Sequence, residues 1–208
     1  MNSAVQRLAT MVHGRALSWV RDVVPALGGL AIHFDPDEPA VHGDAFAAAL
    51  NVVSECLKEG LPKPGDVLRT IDVPVCYEPE FALDLAEVAA TAKVTVGEAI
   101  ALHAGSDFRV LMIGFAPGHP YIGGLSDKLS VPRRATPRAI VPAGSVAIAN
   151  DQTVVYPYAI SGGWSIIGRT PLQVFDAERQ EPSLFAAGDR VRFRPITREE
   201  YLQLSSTS

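Results

Sequence analysis

A glycine-rich loop from Gly114 to Gly124 holds the residues whose types point first to chemistry. It follows an apolar run over 110–113 that has the length and continuity of a buried strand. His119 and Tyr121 are the large polar residues of the loop, and Gly118 allows positive φ or close approach of a ligand. Loops mounted on rigid strands often carry binding groups. We therefore predict substrate binding at Gly118 and Tyr121 and catalysis at His119, with a tight β-turn as the alternative.

Three arginines follow in the segment VPRRATPR, at positions 133, 134 and 138. An arginine side chain binds a carboxylate or phosphate through two parallel hydrogen bonds. In an extended segment Arg134 and Arg138 share a face, while Arg133 points away. Arg134 and Arg138 are therefore predicted to bind substrate together. The alternative is a set of surface arginines that pair with Asp127 or Asp151.

Further polar and aromatic residues punctuate the short strands between Val141 and Thr170. Hydrogen-bonding groups beside flat apolar faces are typical of a small-ligand pocket. We predict that four of these residues bind substrate, with Tyr156 beside them: Gln152, Thr153, Trp164 and Arg169. A tryptophan buried only as part of the core is the alternative.

Several catalytic motifs are missing from the sequence. It contains no GxxxxGK[ST] phosphate loop, no HExxH and no GxSxG. From Gly114 to Thr170 the only carboxylates are Asp127 and Asp151. His119 or Asp151 is the predicted catalytic base, and neither has an evident paired partner. The residues fit one half of a composite site better than an independent enzyme.

Composition limits the class of protein. The chain has 208 residues, 48% of them hydrophobic and 20% charged, which is ordinary for a globular protein. No apolar stretch reaches the roughly 18 residues of a membrane helix, and no signal peptide begins the chain, so we expect a cytoplasmic location and no membrane partner. The net charge of −5 argues against nucleic-acid binding. Residues 126–198 carry ten Lys or Arg and six Asp or Glu, a net +4 that favours a small anion.

Apolar periodicity and Gly/Pro punctuation predict an α+β chain. Helices are expected over 3–24, 44–59, 82–92 and 95–104, the last with a capping box at Thr95 and Glu98. Strands are expected over 30–34, 70–77, 109–115, 139–141, 145–149, 153–156, 164–168 and 190–194. We predict a small α+β N-terminal domain over 1–80, a helical connector over 81–105 and a mainly β domain over 106–208. The two cysteines, Cys56 and Cys76, indicate buried thiols and no metal site.

Several ordered motifs resemble one known family. They are VPVCY, GFAPGHPYIGGL, PRRATPR, VPAGSVAIA, the QT and YP pairs, GGWSIIGRTP and LFAAGDRVRFRPI. Together these motifs resemble the KipI and allophanate-hydrolase-subunit-1 family, strongly over about residues 70 to 197. The resemblance implies a cyclophilin-like β-barrel for the C-terminal domain. The family commonly carries phenylalanine where this chain has His119, and its members usually open with a strand before the first helix.

The same resemblance implies an activity and partners. In this family a B subunit works with an A subunit and with a C subunit of related barrel fold to open 5-oxoproline to glutamate at the expense of ATP, with magnesium expected. By resemblance, this chain is expected to be such a B subunit, inactive alone, binding a small amide-bearing acid. Arg134 or Arg138 would hold its carboxylate, and His119 would lie near the reacting carbonyl. The alternatives are an inhibitor of a sensor histidine kinase, and the carboxyltransferase portion of a urea carboxylase and allophanate hydrolase system.

Overall fold

The chain divides into two compact units, Met1–Leu68 and Arg69–Ser208. A computed structural model describes residues 1–38, 44–62 and 69–206. The division falls twelve residues before the boundary expected at residue 80, because the strand that begins at Thr70 belongs to the second unit.

Two helices and a β-hairpin make up the described residues of the first unit. Its elements are α1 (Asn2–Gly14), β1 (Val20–Pro25), β2 (Leu30–Phe34) and α2 (Ala45–Glu59). The Asp44 side chain caps α2 by accepting from the Ala47 N–H at 2.9 Å. The single helix predicted over 3–24 is wrong beyond Gly14, because residues 20–25 pair with β2 as an antiparallel strand.

The second unit is built around a closed seven-stranded barrel. The described strands of this unit, seven in the barrel and two outside it, are β3 (Thr70–Cys76), β4 (Phe108–Ile113), β5 (Pro120–Gly123), β6 (Arg138–Val141), β7 (Ser145–Ala149), β8 (Gln152–Val155), β9 (Ile160–Gly162), β10 (Ser165–Arg169) and β11 (Arg190–Ile196). The barrel order is β10-β3-β11-β4-β5-β8-β7, and β6 pairs with β9 in a separate two-stranded sheet. Only the β3–β11 pair is parallel among the paired barrel strands described. The predicted α+β class is confirmed.

Both faces of β7 are buried, which explains why VAIA is a continuous apolar run. Val146 and Ile148 join the main core, with Phe108, Ile122 and Phe193 from other strands. The alternate residues Ala147 and Ala149 join a second apolar cluster, which contains Tyr156 and Trp164. This second cluster lies on the opposite face of β7, and the candidate site is built on it.

Three helices complete the second unit: α3 (Leu85–Ala92), α4 (Val96–Ala104) and α5 (Arg198–Ser205). The predicted capping box is present, since Thr95 Oγ1 accepts from the Glu98 N–H and Glu98 accepts from the Thr95 N–H. α3 packs beside β10 and α4 beside β11, so residues 81–105 are part of the barrel unit rather than a connector. The strands β5 and β9 and the helix α5 were not predicted from the sequence. None of the described helices is long and apolar enough to span a bilayer.

Candidate active site

A small cavity lies where the glycine loop meets the segment after residue 160. Its volume is about 170 Å³. Three of the predicted site residues line this cavity: His119, Tyr121 and Trp164. Its other main lining residues are Phe115, Arg133, Tyr156 and Gly162. Among the described residues, those that line it include no carboxylate, so the cavity favours a neutral or anionic ligand.

The glycine loop holds His119 through its own backbone. The Gly114 N–H donates to the His119 carbonyl at 3.1 Å, and the His119 N–H donates to the Ala116 carbonyl at 3.0 Å. Gly118 has φ +71°, and a Cβ there would lie 2.7 Å from Phe175 Cβ, so glycine is required at this position. Phe115 also has φ +71°, a conformation that is strained for a bulky residue and often found at functional sites.

His119 is 2% exposed and surrounded by aromatic rings. Its ring centroid lies 5.4 Å from that of Phe115 and 5.2 Å from those of Tyr121 and Tyr156. Burial lowers the pKa of His119 to about 4, so the imidazole is neutral near pH 7. Its Nδ1 is buried and makes no hydrogen bond with the described residues. A neutral imidazole is a weak base but a competent hydrogen-bonding group for a ligand.

Arg133 places a guanidinium among the phenol groups of the cavity. Burial raises the pKa of Tyr156 to about 12 and raises that of Tyr121, while the charge of Arg133 opposes both shifts. The rings of Tyr121 and Trp164 lie 6.0 Å apart in an edge-on arrangement. Arg133 is exposed and forms no ion pair with any described residue. The cavity therefore offers one unpaired cation beside flat aromatic walls.

Arg134 and Arg138 lie outside this cavity, and both guanidiniums pair with Asp84. Arg134 Nη1 lies 3.0 Å from Asp84 Oδ1, and Arg138 Nη2 lies 2.7 Å from the same oxygen. The sequence grouped these two arginines on one face, and they do share that carboxylate. Arg133, which the same alternation directed away from them, is the arginine that lines the cavity.

Thr153 lies in the core and not at the cavity. Its hydroxyl donates to the Ala147 carbonyl at 3.1 Å and contacts His103 Nε2 at 3.3 Å. His103 Nδ1 in turn lies 2.7 Å from the Tyr77 hydroxyl, and burial lowers the pKa of His103 to about 3. This buried polar chain satisfies its own members, and Thr153 has a structural role within it.

Three other predicted site residues are also placed away from the cavity. Gln152 is the first residue of β8, at the end of the strand away from Tyr156, and it pairs with Gly123 of β5 and Ala149 of β7. Asp151 is exposed in the turn between β7 and β8, so it is not brought to His119. Arg169 ends β10 with its guanidinium carbon 5.5 Å from the centre of the Phe81 ring. In the described ranges, no group of three or more His, Cys, Asp or Glu side chains is placed to hold a metal ion.

Arg133 and Asp84 were not predicted from the sequence as site residues. The sequence did contain a signal for Arg133, because the alternation of an extended segment separates it from Arg134 and Arg138. No local signal identified Asp84, whose arginine partners lie 50 and 54 residues further along the chain.

The neutrality of buried His119 predicts an acid-sensitive fold. Below its ordinary pKa of about 6.5 the unfolded chain binds a proton at this residue, whereas the folded chain does not until about pH 4. Stability is therefore lost as the pH falls through this window. Between about pH 7.5 and about pH 5, we expect wild type to lose about 2 kcal/mol more free energy of unfolding than His119→Phe. Urea denaturation at the two pH values measures this difference, and equal losses would contradict it.

A family model and known proteins share this architecture. The carboxyltransferase domain, subdomain C and D, matches residues 1–185. The 5-oxoprolinase B subunit of Bacillus subtilis (strain 168) is 36% identical over 206 residues, which is 97% of this chain and 86% of that protein. The 5-oxoprolinase B subunit of Escherichia coli O157:H7 is 48% identical over 127 residues, which is 61% of this chain and 58% of that protein.

Solved structures share the fold of this chain. The crystal structure of TTHA0988 superposes with a TM-score of 0.79 at 33% identity, over 94% of this chain and 37% of that one. The Kluyveromyces lactis urea carboxylase superposes with a TM-score of 0.73 at 19% identity, over 97% of this chain and 20% of that one, a likeness of fold alone. This chain thus spans only about a third of the length of TTHA0988 and a fifth of the urea carboxylase.

The chain belongs to the carboxyltransferase-domain family, subdomains C and D. Within that family its relatives are 5-oxoprolinase B subunits, which confirms the resemblance found from the sequence motifs.

Proposed function

We propose that this chain is the B subunit of a 5-oxoprolinase complex, which opens 5-oxoproline to glutamate with ATP together with A and C subunits. The similarity to the Bacillus subtilis B subunit over 97% of this chain supports the assignment. The observation that carries it is the cavity at His119, where the unpaired guanidinium of Arg133 lies beside a buried neutral imidazole.

The cavity matches the chemistry of a small lactam acid. The carboxylate of 5-oxoproline would pair with Arg133 through two charge-assisted hydrogen bonds. The lactam amide would hydrogen-bond the imidazole of His119, and the ring would contact the aromatic walls. In this arrangement His119 hydrogen-bonds the lactam without carrying charge, and Arg133 orients the ring.

Chemistry beyond binding would come from the partner subunits. A lactam is a poor electrophile because of amide resonance, and phosphoryl transfer from ATP to its oxygen would convert that oxygen into a leaving group. A cavity of about 170 Å³ is smaller than the roughly 300 to 1,000 Å³ of typical cofactor sites. This small size supports an ATP site outside this cavity. Among the described residues, no Asp or Glu lines the cavity, and this supports the proposal that the chain is inactive alone.

Reconstitution tests the proposal. The chain is co-expressed with its genomic neighbours and purified by a tag on this chain alone, and phosphate release from ATP is measured with and without 5-oxoproline. We expect release that depends on 5-oxoproline only when the partner subunits are present, because no phosphate-binding loop or catalytic carboxylate is placed at this cavity. Clean recovery of this chain alone, with no release in any combination, would overturn the proposal. Inhibition of histidine-kinase autophosphorylation would then be the function to test.

A further inference from the structure

We propose that Asp84 is a positioning residue for this cavity: its carboxylate fixes the arginine segment so that Arg133 points at the ligand. This inference rests on the proposed function for the identity of the ligand. Asp84 is 4% exposed and stands at the N-terminus of α3, outside the glycine loop and the strands that line the cavity.

The hydrogen bonds of Asp84 exclude a direct role in catalysis. Oδ1 accepts from Arg134 Nη1 at 3.0 Å and from Arg138 Nη2 at 2.7 Å. Oδ2 accepts from Arg138 Nη1 at 2.9 Å and from the Ile166 N–H at 2.7 Å. Each oxygen of a carboxylate accepts about two hydrogen bonds. The acceptor capacity of Asp84 is therefore filled, and its carboxylate binds a ligand only by losing one of these partners.

These bonds join three parts of the barrel unit that are distant in sequence. The Asp84 N–H also donates to the Ile166 carbonyl at 2.8 Å, which ties the start of α3 to β10. On the other side, the Arg134 N–H donates to the Gly163 carbonyl at 2.7 Å. The arginine segment is thus held by Asp84 through its side chains and by Gly163 through its backbone.

Arg133 follows Pro132 and precedes Arg134 in this segment. Arg134 is fixed by its side chain at Asp84 and by its backbone N–H at Gly163, which itself lines the cavity, so the backbone that carries the adjacent Arg133 is held beside the cavity. Arg138 adds a bidentate bond five residues later, and this bond fixes the far end of the segment. Loss of the carboxylate would free both ends and leave Arg133 without a fixed direction.

A double-mutant cycle in the reconstituted complex tests this coupling. Asp84→Asn is expected to raise the KM for 5-oxoproline about tenfold with kcat nearly unchanged, since it weakens ground-state and transition-state binding alike. If Asp84 acts through Arg133, the double variant Asp84→Asn with Arg133→Gln has the KM of Arg133→Gln alone. An unchanged KM in Asp84→Asn, or effects that multiply in the double variant, would overturn the proposal.

A second readout needs neither substrate nor partner subunits. The chain has two tryptophans, so Trp19→Phe leaves Trp164, in the cavity wall, as the single tryptophan, which is excited at wavelengths that the tyrosines do not absorb. The cation of Arg133 attracts iodide but not neutral acrylamide. In this background Asp84→Asn is expected to lower the ratio of iodide to acrylamide quenching about twofold, to the value of Arg133→Gln. An unchanged ratio means that Asp84 does not position Arg133, even if the complex proves to use another substrate.

Asp189→Asn is the matched control. Asp189 is 7% exposed and accepts from Arg69 Nη2 at 2.6 Å and from the Ala186 N–H at 2.8 Å, so the variant also removes the charge of a buried carboxylate that pairs with an arginine of this unit. It should lower the melting temperature but leave the quenching ratio and the KM at wild-type values. If Asp84→Asn does not fold, Arg138→Lys keeps the charge but loses the bidentate bond, and its quenching ratio should fall in the same direction.

Discussion

Replacement of Arg133 by glutamine should raise the KM for 5-oxoproline about 30-fold in the reconstituted complex. Charge-assisted hydrogen bonds contribute roughly 1.5 to 3 kcal/mol, and about 2 kcal/mol corresponds to that change in affinity. Arg133 is the arginine that lines the cavity free of an ion pair with any described residue. Steady-state phosphate release over a range of 5-oxoproline concentrations measures the effect.

The substrate offers an independent check on the same contact. The lactam 2-pyrrolidinone lacks the carboxylate, so wild type should use it poorly compared with 5-oxoproline. In Arg133→Gln this preference should nearly vanish, because the variant has lost the group that recognises the carboxylate. Arg133→Lys keeps the charge without the planar donor pair and should fall between the two.

Arg192→Gln is the control for the general positive field. It removes one charge from the basic region over residues 126–198. Arg192 lies in β11, and its guanidinium pairs with Asp72 on the exposed surface. Its KM should stay within about twofold of wild type, since surface pairs are screened and contribute little. If Arg133→Gln also stays within that range, the carboxylate is bound elsewhere.

Strands buried on both faces were the easiest elements to predict. The strand predicted over 145–149 has the same bounds as β7. Two apolar clusters cover its two faces, so residues 146–149 form an uninterrupted apolar run. β5 and β9 were missed because they are short and contain Gly or Pro, residues typical of turns. They are strands because β8 and β6 supply their pairing partners, information that a local window does not contain.

The N-terminal helix was predicted too long, whereas β5 and β9 were not predicted at all. Val20 and Val24 continue the apolar spacing of α1, but the hairpin with β2 places them in a strand. A local preference was overridden by pairing with a segment ten residues away.

Prediction of the site depended on the partners that side chains would find. Local pattern sufficed for His119, Tyr121 and Trp164, which converge on one cavity. It did not suffice for Arg134 and Arg138, because whether an arginine is free for a ligand depends on a carboxylate far away in sequence. Asp84 is that carboxylate, and only the folded barrel brings it into contact with Arg134 and Arg138.

Gly162→Ala should have the largest effect of any small substitution at the cavity. A Cβ at this position would lie 2.1 Å from the Tyr156 hydroxyl oxygen and 2.8 Å from Cζ of the same ring. Tyr156 is 1% exposed and belongs to the same apolar cluster as Trp164, so its ring has no open space beside it, and either the packed ring or β9 must be displaced. Overpacking of this kind costs about 1 to 3 kcal/mol, and displacement of site groups by about 1 Å can lower turnover on the order of 100-fold.

The neighbouring glycine provides the control for that substitution. A Cβ at Gly163 would make its nearest contact at 3.6 Å, with Pro137, which is an ordinary van der Waals distance. Gly163→Ala should therefore keep a melting temperature and a turnover near those of wild type. Adding Tyr156→Phe to Gly162→Ala removes the 2.1 Å contact and should restore part of the lost melting temperature. Equal behaviour of the two alanine variants would show that the contact between Gly162 and Tyr156 does not set the shape of the cavity.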